Sequence, residues 1–174
     1  AVTSTVKPTG VLTTPFKTAD GYVWKFLYSI LASKSNTFLS ANYMPVEFID
    51  SAGGEDPVLL VQNFDIQNAA IPGTISSVTV TNGGTGYTSA PAVTITGNGD
   101  SADAIATISS GAVVKIEMKD SAAGSLYRPG QGYDYADVSF SGGGGTGASA
   151  RVNISPREGF GANPITALTS PALM

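Results

Sequence analysis

Between residues 22 and 30 the chain alternates with strict period two. Tyr22, Trp24, Phe26, Tyr28 and Ile30 fall on one side, and Val23, Lys25, Leu27 and Ser29 on the other. With Asp20-Gly21 as the turn before it, this pattern predicts a strand over Tyr22–Ile30 with one almost wholly aromatic face. The preceding stretch, Thr3 to Thr14, is rich in Thr, Pro and Gly and predicts an extended arm or loop. Ser33 to Leu39 predicts one or two helical turns capped by Ser33 or Ser35, and Tyr43 to Ile49 a short strand with Pro45 at an edge-tolerated position. Ser51 to Asp56 predicts a loop. In Pro57 to Ile66, Val58, Leu60, Gln62 and Phe64 alternate against Leu59, Val61, Asn63 and Asp65, which predicts another strand.

The pattern then repeats. Ile75 to Ser109 and Val113 to Ser155 correspond at three landmarks: Thr81-Asn82 with Lys119-Asp120, Gly86-Tyr87 with Gly132-Tyr133, and the run from Ala104 to Ser109 with that from Ala150 to Ser155. The spacings are 38, 46 and 46, so the second copy carries an eight-residue insertion around Ser121 to Pro129. A surface loop absorbs such an insertion at small entropic cost. Each copy reads as strand, Gly-turn with Tyr, strand, Gly-turn, strand. Its glycines stand where tight turns need positive φ, and Val, Ile and Thr alternate along half-buried strands. Two such copies are expected to bury each other's apolar faces.

Composition divides the chain at the same places. The segment Gly73 to Ser155 holds 15 of the 21 glycines and one of the seven Phe, while the single Trp lies outside it. We therefore expect a β body in residues 1–72, a Gly-rich two-copy β-repeat insert in 73–155, and a return to the body in 156–174. Taken whole, the 174 residues are 42% apolar and 13% charged, too apolar for disorder and too rich in Gly for a helical fold. The expected class is all-β: an antiparallel body with an inserted Gly-rich repeat domain. Nine basic against thirteen acidic residues, net charge -4, argue against a nucleic-acid surface. The absence of His and Cys removes the Ser-His-Asp and Cys-His machineries, the common zinc sites and any disulfide framework. No apolar run approaches the roughly 18 to 20 residues of a membrane span, and Ala1 to Gly10 does not read as a signal peptide.

Five motifs carry candidate chemistry. Gly142 to Gly147 satisfies G-x-G-x-x-G in form, but Ala148 to Ile154 reads as strand where a dinucleotide fingerprint needs a helix, so a Gly-rich hairpin loop is expected. Asn98, Asp100 and Asp103, or Asp120 with Asp134 and Asp137, offer oxygens to calcium. They fall short of the six to eight ligands that ion takes and otherwise read as solvated turn residues. Glu47, Asp50, Glu55 and Asp56 cluster within ten positions, as a glycosidase pair would, yet nothing marks an acid of raised pKa and a solvated loop is the simpler reading. Asn153-Ile154-Ser155 is a glycosylation sequon without a secretory context. The aromatic ladder itself reads either as a stacking platform or as the buried face of a sheet, and period two favours the buried face.

The run Thr18 to Ile30, followed by Phe38-Leu39 and Tyr43-Met44-Pro45-Val46, resembles the baseplate wedge subunit of T-even-like contractile-tailed phages, especially those of marine and cyanobacterial hosts. Gly159 to Leu168 resembles a later segment of that family, of form GGHGANPV-EL, with Phe160 where His is common. The resemblance covers about Lys7 to Val46 and Pro156 to Leu168. The Gly-rich repeat resembles modules found across phage tail proteins. Family members are longer at both ends, so the chain reads as an internal fragment, a shortened relative or an excised domain, and Thr169 to Met174 departs from the family where another strand is expected.

The resemblance implies a structural virion protein of the tail baseplate, assembled in the host cytoplasm, dimeric and joined to other baseplate wedge proteins. It implies no catalysis and no cofactor, while the missing ligand types, the charge and the lack of a long apolar run already predict no metal, no nucleic acid and no membrane as partner. The residues expected at interfaces or structural turns are Tyr22, Trp24, Phe26, Tyr28, Gly86, Tyr87, Gly132 and Tyr133. A second reading is a receptor- or carbohydrate-binding β module displaying Tyr87, Tyr127, Tyr133 and Tyr135 to sugar. Exposed rings favour that reading, and buried tyrosines with a self-associating surface favour scaffolding.

Overall fold

The computed structural model describes residues 3–50, 57–119, 129–170 and 172–173. In chain order the elements are β1 (Phe16–Lys17), β2 (Val23–Trp24), α1 (Ala32–Phe38), β3 (Met44–Pro45), α2 (Pro57–Asn68), β4 (Ile75–Thr85), β5 (Ala92–Gly97) and β6 (Asp100–Ala102). They continue with β7 (Ala104–Ser109), β8 (Ala112–Met118), β9 (Pro129–Gln131), β10 (Ala136–Ser141), β11 (Thr146–Ile154), α3 (Pro164–Leu168) and β12 (Ala172–Leu173). Strands hold 40% of the chain against 13% in helices, and the ladders are antiparallel, so the fold is all-β. The chain splits into two compact units of equal length, Ala1–Ala70 with Glu158–Met174, and Ile71–Arg157.

In the first unit the sequence pattern misleads twice. The nine-residue strand expected over Tyr22–Ile30 shrinks to β2, because its partner β1 is only two residues long, and Trp24 to Ile30 are all half-buried without alternation. The strand expected over Pro57–Ile66 is the helix α2. From residue 61 onward its buried side is formed by Asn63, Ile66 and Gln67, one face at helical spacing, and two of those three are polar. An apolar stripe therefore never appears in the sequence.

The polar pair explains both departures. The Asn63 amide accepts from Ser29 N at 2.7 Å and donates to Ser29 O at 2.9 Å, occupying both backbone groups that a neighbouring strand would have used. One turn later Gln67 makes the same paired contact with Ile49, accepting from its N at 3.0 Å and donating to its O. The helix thus holds two extended segments with side-chain amides in place of a sheet, and a buried amide with all its partners met carries little penalty. The helical turn expected near Ser33 is α1, capped by neither serine: its N-cap is Leu31, and the Ser35 hydroxyl donates back to Ala32 O at 2.9 Å. The strand expected over Tyr43–Ile49 is confined to β3, which pairs with β12.

The second unit is built on the repeat. Apart from one rung, Ala92↔Ile105, every ladder joins one copy to the other. Exchanging the copies maps the ladders onto one another. Ala104↔Met118, Ile105↔Glu117, Ala106↔Ile116 and Ile108↔Val113 in β7–β8 become Ala150↔Val80, Arg151↔Thr79, Val152↔Val78 and Ile154↔Ile75 in β11–β4. Even the β-bulge recurs, between Thr107 and Ile108 and between Asn153 and Ile154. Likewise Asp100↔Gln131 and Ala102↔Pro129 in β6–β9 become Thr146↔Thr85 and Ala148↔Gly83. In β5–β10 the rungs Val138↔Ile95 and Phe140↔Val93 exchange with each other about Thr94↔Ser139. This is the arrangement of a symmetric dimer, written into one chain.

The spacings of 38 and 46 hold rung by rung in β7–β8, β11–β4 and β6–β9, while the exchange in β5–β10 runs at 45; the extra eight residues are thereby bracketed between Lys119 and Pro129, outside the described residues. The shared core takes Ile75, Val78, Tyr87, Ala104 and Ala106 from the first copy and Val113, Ile116, Met118 and Tyr133 from the second. Entry and exit meet: Ser155 N donates to Thr74 O at 2.8 Å, and Thr74 N to Ser155 Oγ at 3.0 Å.

Candidate functional site

Of the large apolar residues exposed among the described positions, eleven lie in the first unit: Val11, Leu12, Tyr22, Val23, Phe38, Leu39, Tyr43, Phe48, Val61, Phe160 and Ile165. The second unit exposes four, Ile71, Ile105, Val114 and Tyr135. Singly exposed apolar residues are ordinary on a protein surface, and the two units differ in how many they carry.

Local structure holds these residues in place. The segment that presents Phe38, Leu39, Tyr43 and Phe48 is tied across itself by Lys34 Nζ to Glu47 Oε1 at 3.1 Å and by the Ser40–Tyr43 bridge. Beneath it the Tyr28 hydroxyl donates to Pro45 O at 3.0 Å. Burial, and then the Glu47 charge, push the Tyr28 phenol above its ordinary range. The other carboxylate oxygen of Glu47 is buried with no hydrogen-bond partner. Near Ile165, Asn163 caps α3, accepting from Ile165 N at 3.0 Å and Thr166 N at 3.3 Å.

The extended arm is pinned by Asp20. Its Oδ2 accepts from Ser4 Oγ at 2.6 Å, Thr5 N at 2.9 Å and Val6 N at 3.2 Å, while Thr18 Oγ1 donates to Oδ1. The Ser4 and Thr18 hydroxyls hold the carboxyl well below the usual range, with the Thr5 and Val6 amides adding to the effect. Lys25 is half-buried and its amine is lowered by that burial, its Nζ donating to Thr13 O.

The aromatic set named from sequence falls into two groups. Tyr22 is exposed, with its ring 6.4 Å from that of Trp24, while Trp24, Phe26 and Tyr28 are half-buried and the Trp24 indole donates to Thr18 Oγ1 at 3.2 Å. The continuous one-sided face does not form.

Tyr87 and Tyr133, at 6% and 4% exposure, are core residues. Each ring lies on a glycine of the other copy: a Cβ built on Gly145 would come within 2.4 Å of the Tyr87 ring, and one on Gly99 within 2.5 Å of the Tyr133 ring. Gly86 and Gly132 precede them at φ 79° and 73°, values that favour glycine. The backbone N–H groups of the two tyrosines donate to Gly111 O and Gly73 O, both at 3.0 Å, another pair related by exchange of the copies. These four residues are a structural lock, and neither tyrosine presents a ring to a ligand.

The remaining motifs settle into local structure. Gly142 to Gly147 joins β10 to β11 and leads into strand rather than helix. Asp103 pairs with Lys119 at 3.1 Å, Asp100 accepts from Ser101 Oγ at 2.6 Å, and Asn98 Nδ2 donates to Asp134 Oδ2 at 3.0 Å. Asp120 lies outside the described residues, as do Glu55 and Asp56 of the acidic cluster and Tyr127. Asn153 donates to Ser77 Oγ at 2.8 Å and Thr79 Oγ1 at 3.3 Å along the sheet. No group of three or more His, Cys, Asp or Glu converges among the described residues, and no described helix is long and apolar enough to cross a membrane. Sequence reasoning missed Asn63 and Gln67; their signal was two amides at i and i+4, in a run that also carries Gln62 and Asp65.

No family model, curated protein or solved structure matches the chain.

Proposed function

We propose that the chain is a structural component of a contractile phage tail, a late virion protein of the baseplate wedge whose first unit docks other wedge proteins and a second copy of itself. One observation carries the reading: nine of the eleven large apolar residues exposed in that unit lie within Lys7–Val46 and Pro156–Leu168, the two segments that resemble the wedge family. Those residues are spent on surface rather than on core, which suits a part completed by its neighbours. On this reading the repeat is an insert whose adjoining ends let it hang from the body, and the role needs no catalysis, cofactor, nucleic acid or membrane. Light scattering on the chain alone and mixed with wedge proteins tests it. Higher-mass complexes lost on Phe38→Ser and Tyr43→Ser are expected, and a chain that stays monomeric in every mixture would overturn the proposal.

A receptor- or carbohydrate-binding module is the second reading. Tyr135 favours it, at 62% exposure beside Asp134 and Asn98. Saccharide binding abolished by Tyr135→Ala, with the association above untouched, would select this reading.

A further inference from the structure

The ladders of the second unit hold a consequence for how two chains meet. Among the described residues the first copy by itself keeps only the rung Ala92↔Ile105 and the second keeps none, every other rung being supplied by the counterpart. That counterpart need not belong to the same chain, since a second chain offers the same residues in the same register. The copies are joined at Ser109–Ala112, the turn of the β7–β8 hairpin. Its two central residues, Ser110 and Gly111, sit at φ 52° and 76°. Left-handed backbone suits glycine and strains serine. Short strained hinges between complementary halves invite exchange between chains.

We infer that the chain forms a homodimer by exchanging repeat copies, the Ser110-Gly111 turn opening so that β7 runs on into β8. The first copy of each chain then closes on the second copy of the other. The joined strands lie antiparallel about the new dyad, β7 of each chain on β8 of its partner, so every rung is kept and the strain at Ser110 is released. The partner surface is the interior of the repeat unit, and the partner is a second copy of this chain. The inference rests on these ladders alone and not on the role proposed above.

The chain has no cysteine, which makes a cross-link unambiguous. Thr96 and Asp137 are opposed across β5–β10, one from each copy and both exposed. Opposed residues in an antiparallel pair lie within disulfide range. Full-length Thr96→Cys/Asp137→Cys, as purified and after refolding at high concentration, should run as a dimer in light scattering and as a covalent dimer on a non-reducing gel. Monomer under both conditions, or a dimer whose cross-link stays within each chain, would overturn the proposal. If that pair disturbs folding, Thr85→Cys/Thr146→Cys in β11–β4 reads the same exchange. Relieving the hinge strain with Ser110→Gly should lower the dimer association constant about tenfold per hinge; an unchanged constant would remove Ser110-Gly111 as the hinge.

Discussion

Two units of equal length use opposite means of holding together. The repeat unit closes on itself: its ladders bind copy to copy, and it contributes nine of the twelve buried hydrophobic residues among the described positions. The other unit contributes three, Leu31, Val46 and Ile66, and depends on polar fastenings from Asn63, Gln67 and Asp20 while eleven of its large apolar residues are exposed. Burial of apolar area is the larger stabilising force in a domain of this size, so a unit that forgoes it is marginal alone. The contrast separates a part held chiefly by apolar burial from a part held chiefly by polar contacts.

The largest effect that would sharpen this contrast lies in the tyrosine lock. Tyr87→Ala and Tyr133→Ala should each cost the repeat unit about 3 to 5 kcal/mol, the scale of removing a buried aromatic ring. Because exchange of the copies relates the two sites, their costs should agree to about 1 kcal/mol, within the spread set by local relaxation. Denaturant unfolding of both variants measures this. One severe and one mild result would break the equivalence that the ladders imply.

Next in size is the amide clamp of the other unit. Asn63→Leu keeps a helix-compatible side chain but leaves Ser29 N–H and C=O unpaired, at a cost of about 2 to 4 kcal/mol for two abandoned backbone groups. Amide exchange should then rise in residues 22–50 while the repeat unit keeps its protection. Equal loosening of both units would show that the first does not stand on its own polar contacts. A smaller loss belongs to the helix cap, where Asn163→Ala should cost about 1 kcal/mol, seen as faster exchange at Ile165 and Thr166.

How much of this was legible in the sequence follows from the same contrast. The repeat unit obeys local rules, with alternating Val, Ile and Thr and glycine at every described positive-φ position except Ser101 and Ser110, so its internal correspondences could be read before any ladder was known. The β class was legible for the same reason. In the other unit the deciding contacts are tertiary and polar. Asn63 reaches 34 residues back to Ser29, and no period announces a helix whose buried face is amide, isoleucine, amide. The aromatic alternation of Tyr22 to Ile30 is real in the sequence, but a strand needs a partner, and the neighbouring chain supplies only Phe16–Lys17. Of the residues named from sequence, Tyr87 and Tyr133 were found by the repeat, whereas the outward face carrying Phe38, Tyr43 and Phe48 has no pattern of its own.

The smallest expected effect tests whether polar fastening of the first unit responds to pH. The folded structure holds the Asp20 carboxyl well below its ordinary value, chiefly through the Ser4 and Thr18 hydroxyls, whereas in the unfolded chain it titrates near 3.9. A depressed carboxylate pKa adds stability above the unfolded value, and that stability is lost as the pH falls through the folded one. Attachment of the arm should therefore be unchanged from pH 7 to 5 and weaken only below about pH 4. Protonation leaves Asp20 Oδ2 a poorer acceptor for Ser4 Oγ, Thr5 N and Val6 N together. The amide proton shifts of Thr5 and Val6 report this directly, with a midpoint well below that of a free aspartate. In Asp20→Asn the same signals should sit near their unfolded positions and show no titration, while the repeat unit's signals stay fixed throughout. A midpoint near 4 in the native chain would mean that the carboxylate does not fasten the arm.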